Sequence, residues 1–121
     1  MKIRIEGQTI RFRLSHSDVH TLEHTGQIDA ELYVPSLLQF TIQKGRLNVY
    51  YNQNQMVVSL PEDWLTSWTE NEKVGFEFDH DFKRGPADMA FHSLNVIVEK
   101  DYPCAHTKEG KALFGKPQKM N

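Results

Sequence analysis

Met1-Lys2-Ile3-Arg4-Ile5-Glu6-Gly7-Gln8-Thr9-Ile10-Arg11-Phe12-Arg13-Leu14 decides the fold. Apolar and charged residues alternate on both sides of Gly7-Gln8, the pattern of two half-buried strands around a turn. A Gly in the first central position suits a two-residue type II′ hairpin, because only Gly takes positive φ there without steric cost. That loop length predicts a register: Glu6 opposite Thr9, Ile5 opposite Ile10, Arg4 opposite Arg11, Ile3 opposite Phe12, Lys2 opposite Arg13, Met1 opposite Leu14. Every apolar residue then falls on one face and every charged residue on the other. The charged face sets Arg4 against Arg11 and Lys2 against Arg13. Like charges directly opposite each other cost free energy, so these four cations need water, carboxylates of neighbouring strands or a bound anion.

Outward from this hairpin, Ser15 to Gly26 reads as a short helix. Ser15 with Asp18 three residues on has capping-box spacing, Gly26 suits the position after the last turn, and Val19 and Leu22 form a narrow apolar stripe. Gln27 to Val34 alternates again, with Ile28, Ala30, Leu32 and Val34 on one side, and ends at Pro35. Leu38 to Ile42 and Leu47 to Tyr51 flank Lys44-Gly45. A two-residue loop there sets Ile42 against Leu47, Phe40 against Val49 and Leu38 against Tyr51. A second turn at Gln53-Asn54 sets Tyr51 against Met56, Val49 against Val58 and Leu47 against Leu60. Together they predict a three-strand antiparallel meander.

Pro61 to Glu70 opens with Pro and acids, and places Trp64, Leu65 and Trp68 at helical spacing; the two Trp are expected to plug the sheet. Val74 to Asp79 reads as a strand, Lys83-Arg84-Gly85-Pro86 as a loop, and Ser93 to Tyr102 as a central strand because its middle is apolar on both faces. The expected fold is α+β: a mainly antiparallel twisted sheet, or a partial barrel, of about seven strands with two short helices. Residues 1–106 are expected to form one domain and residues 107–121 a Lys- and Gly-rich tail in which Leu113-Phe114 could anchor.

Composition narrows the function classes. The chain has 121 residues, 39% hydrophobic and 25% charged, ordinary values for one globular domain. A net charge of −2 gives no global pull toward nucleic acid or membrane. Phe12 interleaves with Arg11 and Arg13 as in sheet-surface RNA binders, but the register puts Phe12 on the opposite face, so no nucleic-acid partner is expected. No stretch approaches the roughly 18 apolar residues of a membrane helix, and the opening segment lacks a signal-peptide core. Cys104, the single cysteine, allows no internal disulfide, and the expectation is a cytoplasmic protein.

The candidate site is the cationic face, Lys2, Arg4, Arg11 and Arg13, where guanidinium forks could grip a phosphate or carboxylate. A structural role also accounts for these residues: Glu77 and Asp79 alternate on one strand and Glu99 and Asp101 on another, and either pair could neutralise the arginines across the sheet. His16, His20 and His24 recur every four residues along one helix side. His16 and His20 could share a Zn²⁺ or Ni²⁺ ion, although a solvated stripe explains them as well. Asp79-His80-Asp81 and Cys104-Ala105-His106 contain ligand-type residues without the repeated spacing of a structural zinc site. No nucleophile elbow, Walker loop or dinucleotide-binding glycine pattern is present, so no catalytic residue is assigned. The expectation is a non-enzymatic domain, without a cofactor, that binds a small anion or a protein partner.

Lys2-Ile3-Arg4-Ile5, Gly7, Ile10-Arg11 and Arg13-Leu14, together with Val98-Glu99-Lys100-Asp101-Tyr102 and Cys104, resemble a small family of uncharacterised bacterial single-domain proteins. That resemblance implies one compact domain and supplies no catalytic residues. Arg11-Phe12-Arg13 and Val98-Glu99-Lys100-Asp101 are also similar in flavour to the CYTH, or triphosphate tunnel, superfamily. That likeness would imply an antiparallel barrel and a metal-dependent (tri)phosphohydrolase, with Glu77, Glu99 and Asp101 holding Mg²⁺ and the arginines holding phosphate. Where that superfamily opens with two glutamates and a lysine at alternate positions, this chain has Lys2, Arg4 and Glu6.

Overall fold

The computed structural model describes residues 1–83 and 91–102. The opening hairpin forms as its loop length dictates: β1 (Lys2–Glu6) and β2 (Thr9–Leu14) are antiparallel, with Arg4 opposite Arg11 and Ile3 opposite Phe12. Gly7 carries the positive φ of 59° that the turn requires. Helix α1 (His16–Thr25) starts at a complete capping box: the Ser15 hydroxyl accepts from the Asp18 N–H, and the Asp18 carboxylate accepts from the Ser15 N–H. It ends at Gly26, in the left-handed region with φ 91°. Val19 and Leu22 are buried beneath it.

The remaining elements are β3 (Gln27–Tyr33), β4 (Leu37–Lys44), β5 (Asn48–Asn52), β6 (Gln55–Leu60), α2 (Glu62–Leu65), β7 (Gly75–Lys83) and β8 (Phe91–Lys100). They make two four-stranded sheets, in the orders β1-β2-β8-β7 and β3-β4-β6-β5. Each sheet consists of two antiparallel hairpins whose inner strands, β2 with β8 and β4 with β6, run parallel. The α+β class holds. The expected seven-strand, mainly antiparallel sheet does not: the described residues form eight strands in two mixed sheets that do not close into a barrel.

The meander fails at one of its two turns. Around Gln53-Asn54 the register is as expected, with Tyr51 opposite Met56 and Val49 opposite Val58. At Lys44-Gly45 the chain crosses over instead, and Ile42 pairs with Ile28 and Val58 rather than with Leu47. Burial explains the choice. Met56, Val57, Val58 and Leu60 make β6 apolar on both faces, so it occupies a central position, whereas four of the five residues of β5 are exposed and suit an edge. The same reason predicts a central strand over Ser93–Tyr102, and β8 does lie between β2 and β7.

The sheets pack face to face through an edge-on contact of Phe12 with Phe40, ring centroids 6.4 Å apart. Around it lie Leu14, Leu22, Ile42, Val58, Leu60, Leu65, Val96 and Val98, all fully buried; each contributes about 1.5–3 kcal/mol from burial. Helix α2 is shorter than the expected 61–70 span: Thr66 is already extended, with ψ 124°, and Ser67 then takes φ 59° and turns the chain. Trp68 is nevertheless fully buried, and its indole N–H donates to the Lys73 carbonyl at 2.8 Å. Among the described residues no helix is long and apolar enough to cross a membrane. Of the loop expected at Lys83-Arg84-Gly85-Pro86 only Lys83 is described, as the last residue of β7, and Cys104, His106 and the expected 107–121 tail lie outside the described residues.

Candidate functional site

The register of β1, β2, β8 and β7 brings alternate residues onto the outer face of the first sheet. Lys2 and Arg4 on β1 lie beside Arg13 and Arg11 on β2; Arg13 lies beside Glu99 on β8, and Glu99 beside Gly75 on β7. A Cβ at Gly75 would stand 2.3 Å from the Val98 carbonyl oxygen, so only glycine lets β7 approach here.

Of the two carboxylate pairs weighed from the sequence, Glu99 and Asp101 meet the cations. Arg11 Nη1 donates to both Glu99 oxygens at 2.9 Å. Arg13 spans the two acids, with Nη2 3.1 Å from Asp101 Oδ1 and Nε 3.3 Å from Glu99 Oε2. The Nε contact is an ion pair without hydrogen-bond geometry, so this buried N–H has no acceptor among the described residues. Lys2 Nζ lies 2.9 Å from Asp101 Oδ2. The Glu99 side chain is 9% exposed and that of Lys2 77%, so the network is anchored on a buried carboxylate and loosens outward. The hydrogen bond from Lys2 is the largest influence on Asp101; with Arg13 nearby, it holds this carboxyl below its usual 3.8 against the opposing effect of burial. Arg4 is exposed and has no partner among the described residues.

Glu77 and Asp79 are held apart from that network. Asn95 on β8 donates to Glu77 Oε2 at 3.1 Å and to Asp79 Oδ1 at 2.9 Å. Glu77 is thus bound to Asn95 while Glu99 and Asp101 share Arg13, and among the described residues no group of three His, Cys, Asp or Glu is arranged to hold a metal ion. Of the helical histidines, His16 meets Tyr102 edge-on at 5.1 Å, while His20 and His24 are exposed and stack at 4.1 Å. The His80 ring meets Phe82.

Three features escaped the sequence reading. Glu23 on α1 accepts from the Ser67 N–H, the Thr69 N–H and the Thr69 hydroxyl, clasping the turn that carries Trp68. Burial raises its pKa, but these hydrogen bonds outweigh burial and leave it below its ordinary 4.5. Lys100 is fully buried: its ammonium donates to the Asn71 carbonyl and lies 5.8 Å from the Trp68 ring and 5.6 Å from the Tyr102 ring. The signal was present, since Lys100 shares strand parity with the inward Val96 and Val98. Third, a cavity of about 610 Å³ opens at the β7 edge, between Leu47, Trp64 and Thr66 on one side and Phe76, Glu77 and Phe78 on the other.

Fold and face together define a small α+β domain of two mixed sheets, one with an ion-paired outer surface. The profile of DUF7009, a family of unknown function, matches residues 1–118, and the chain belongs to that family. No curated protein and no solved structure matches it.

Proposed function

We propose that this is a non-catalytic binding domain that engages an anionic group, carboxylate or phosphate, on a small ligand or protein partner through the β1–β2 side of its charged face. The observation that carries this reading is the contrast between Arg4 and the cation directly opposite it. Arg11 is clamped by Glu99, and Arg4, at the paired position, has no partner among the described residues. A clamped guanidinium presents its remaining N–H groups in a fixed orientation, so little ordering entropy opposes binding. An anion bridging Arg4 and Arg11 would relieve the like-charge juxtaposition that the hairpin register imposes. A reducing compartment such as the cytoplasm fits the single cysteine.

The Mg²⁺-dependent phosphohydrolase reading finds less support, because Glu99 and Asp101 are engaged by Arg11, Arg13 and Lys2, and a divalent ion would compete with those cations. Thermal denaturation at low salt with inorganic tripolyphosphate, with and without Mg²⁺, tests both readings. The expected result is a rise in Tm independent of Mg²⁺, lost in Arg4→Gln and kept in Arg46→Gln; at a hundredfold excess over Kd such binding adds about 2.7 kcal/mol. A Tm indifferent to tripolyphosphate, or an equal rise in Arg4→Gln, overturns the anion site. A rise that needs Mg²⁺ transfers support to the metal-dependent reading.

A further inference from the structure

The geometry of the cavity at the β7 edge points to a second, separate site: we infer that it binds a small organic cation, a substituted ammonium whose apolar groups rest against aromatic rings. The cavity is about 610 Å³, within the usual range for small-molecule sites. Its walls are aromatic. Trp64 stacks on Phe76 with ring centroids 5.1 Å apart and 16° between planes, and meets Phe78 edge-on at 6.1 Å and 63°. The rings of Trp64 and Phe78 thus form a corner, and an aromatic face carries the negative side of the ring quadrupole.

Because β7 is an edge strand, the cavity reaches both of its faces. Phe76 and Phe78 come from the inner side, while Glu77, one position between them, comes from the outer side. Asp63, in the first turn of α2, supplies a second carboxylate. Among the described lining residues these two acids outnumber the one ammonium, Lys73, so the charge of the wall favours a cation.

The same aromatic cluster already attracts cations from within the chain. Lys73 Nζ stands 5.9 Å from the Phe76 ring, and Lys100 Nζ stands 5.8 Å from Trp68, which itself packs on Phe76 at 4.8 Å. Lys73 is itself a lining residue, so a chain ammonium already lies near one aromatic wall of the cavity, and the Trp64–Phe78 corner is another part of that wall. A compact ammonium with methyl or larger apolar substituents matches it best, because weak hydration lowers the cost of leaving water and its substituents bury against the rings.

Isothermal titration calorimetry of the full chain with choline, and with its uncharged isostere 3,3-dimethylbutan-1-ol, tests this. Choline is expected to bind at least about tenfold more tightly than the alcohol. The double variant Asp63→Asn, Glu77→Gln keeps the aromatic walls and is expected to bring the two affinities together. If that variant does not fold, raising NaCl to 1 M on the native chain screens the carboxylates and should weaken choline while sparing the alcohol. No heat with choline, equal binding of the two probes, or a choline preference unchanged by the variant or, where salt is the test, by salt, overturns the inference. The outcome is independent of the anion site, which shares none of the aromatic residues.

Discussion

The two sheets share one plan, a pair of hairpins joined through parallel inner strands, yet their outer faces are held together by different chemistry. On the first, Arg11 and Arg13 of one hairpin grip Glu99 and Asp101 at the end of the other, and Ile97 is buried beneath the long side chains. On the second, the link is neutral at its centre. The Thr41 hydroxyl donates to Asp29 at 2.6 Å and accepts from Gln55 at 3.0 Å, and Thr41 and Val57 are buried. The lesson is that joining two hairpins requires cover over the parallel seam, while the chemistry of the cover is free to vary. The first cover adds what the Thr41–Asp29–Gln55 cover lacks, namely guanidinium groups with N–H bonds to spare.

The comparison can be broken most severely where the sheets meet. Phe12→Ala removes the ring that contacts Phe40 and is expected to cost about 3–5 kcal/mol in urea denaturation. It should unfold both sheets in one transition; separate transitions would show that they are not one cooperative unit. A sharper cut sets Glu99→Gln against Thr41→Val. The first leaves Arg11 and Arg13 without their buried counter-charge and is expected to cost about 1–3 kcal/mol, discounted because both arginines are more than a third exposed. The second deletes one hydroxyl with two partners and is expected to cost about 1 kcal/mol. Only the Glu99→Gln cost should shrink in 1 M NaCl, and equal salt sensitivity would remove the distinction drawn between the faces.

The smallest effect concerns acid. Asp101 has a lowered pKa in the folded state, so its contribution is present above the unfolded value of about 3.8 and is lost as pH falls through the folded one. Asp101→Asn should therefore be slightly less stable than the native chain at pH 6, with the gap closing below about pH 3.8. A gap that stays constant down to pH 2 would mean that the Asp101 contacts contribute nothing as charges.

Several of these features were legible from the chain alone. The opening register, the Ser15 capping box, the Gly26 terminus and the Gln53-Asn54 hairpin each depend on residues a few positions apart. The four candidate cations were correctly placed on one face for the same reason. The Lys44-Gly45 turn shows where local reasoning stops, because its apolar pairs matched as well as those of the true hairpin. What the pairwise test omitted was that β6 is greasy on both sides and competes for a central place. The clasp of Glu23 on Thr69 joins positions 46 residues apart, and no local signal marks it.

By itself the sequence determined the opening and Gln53-Asn54 turns, the caps of α1 and the segregation of charge from grease in the first hairpin, since these follow from loop length and side-chain period. Tertiary structure decided which strands lie at the centre, which carboxylates meet the arginines and where a cavity remains. Those outcomes come from long-range competition among all the strands for limited buried positions, and no single segment contains the information to settle that competition.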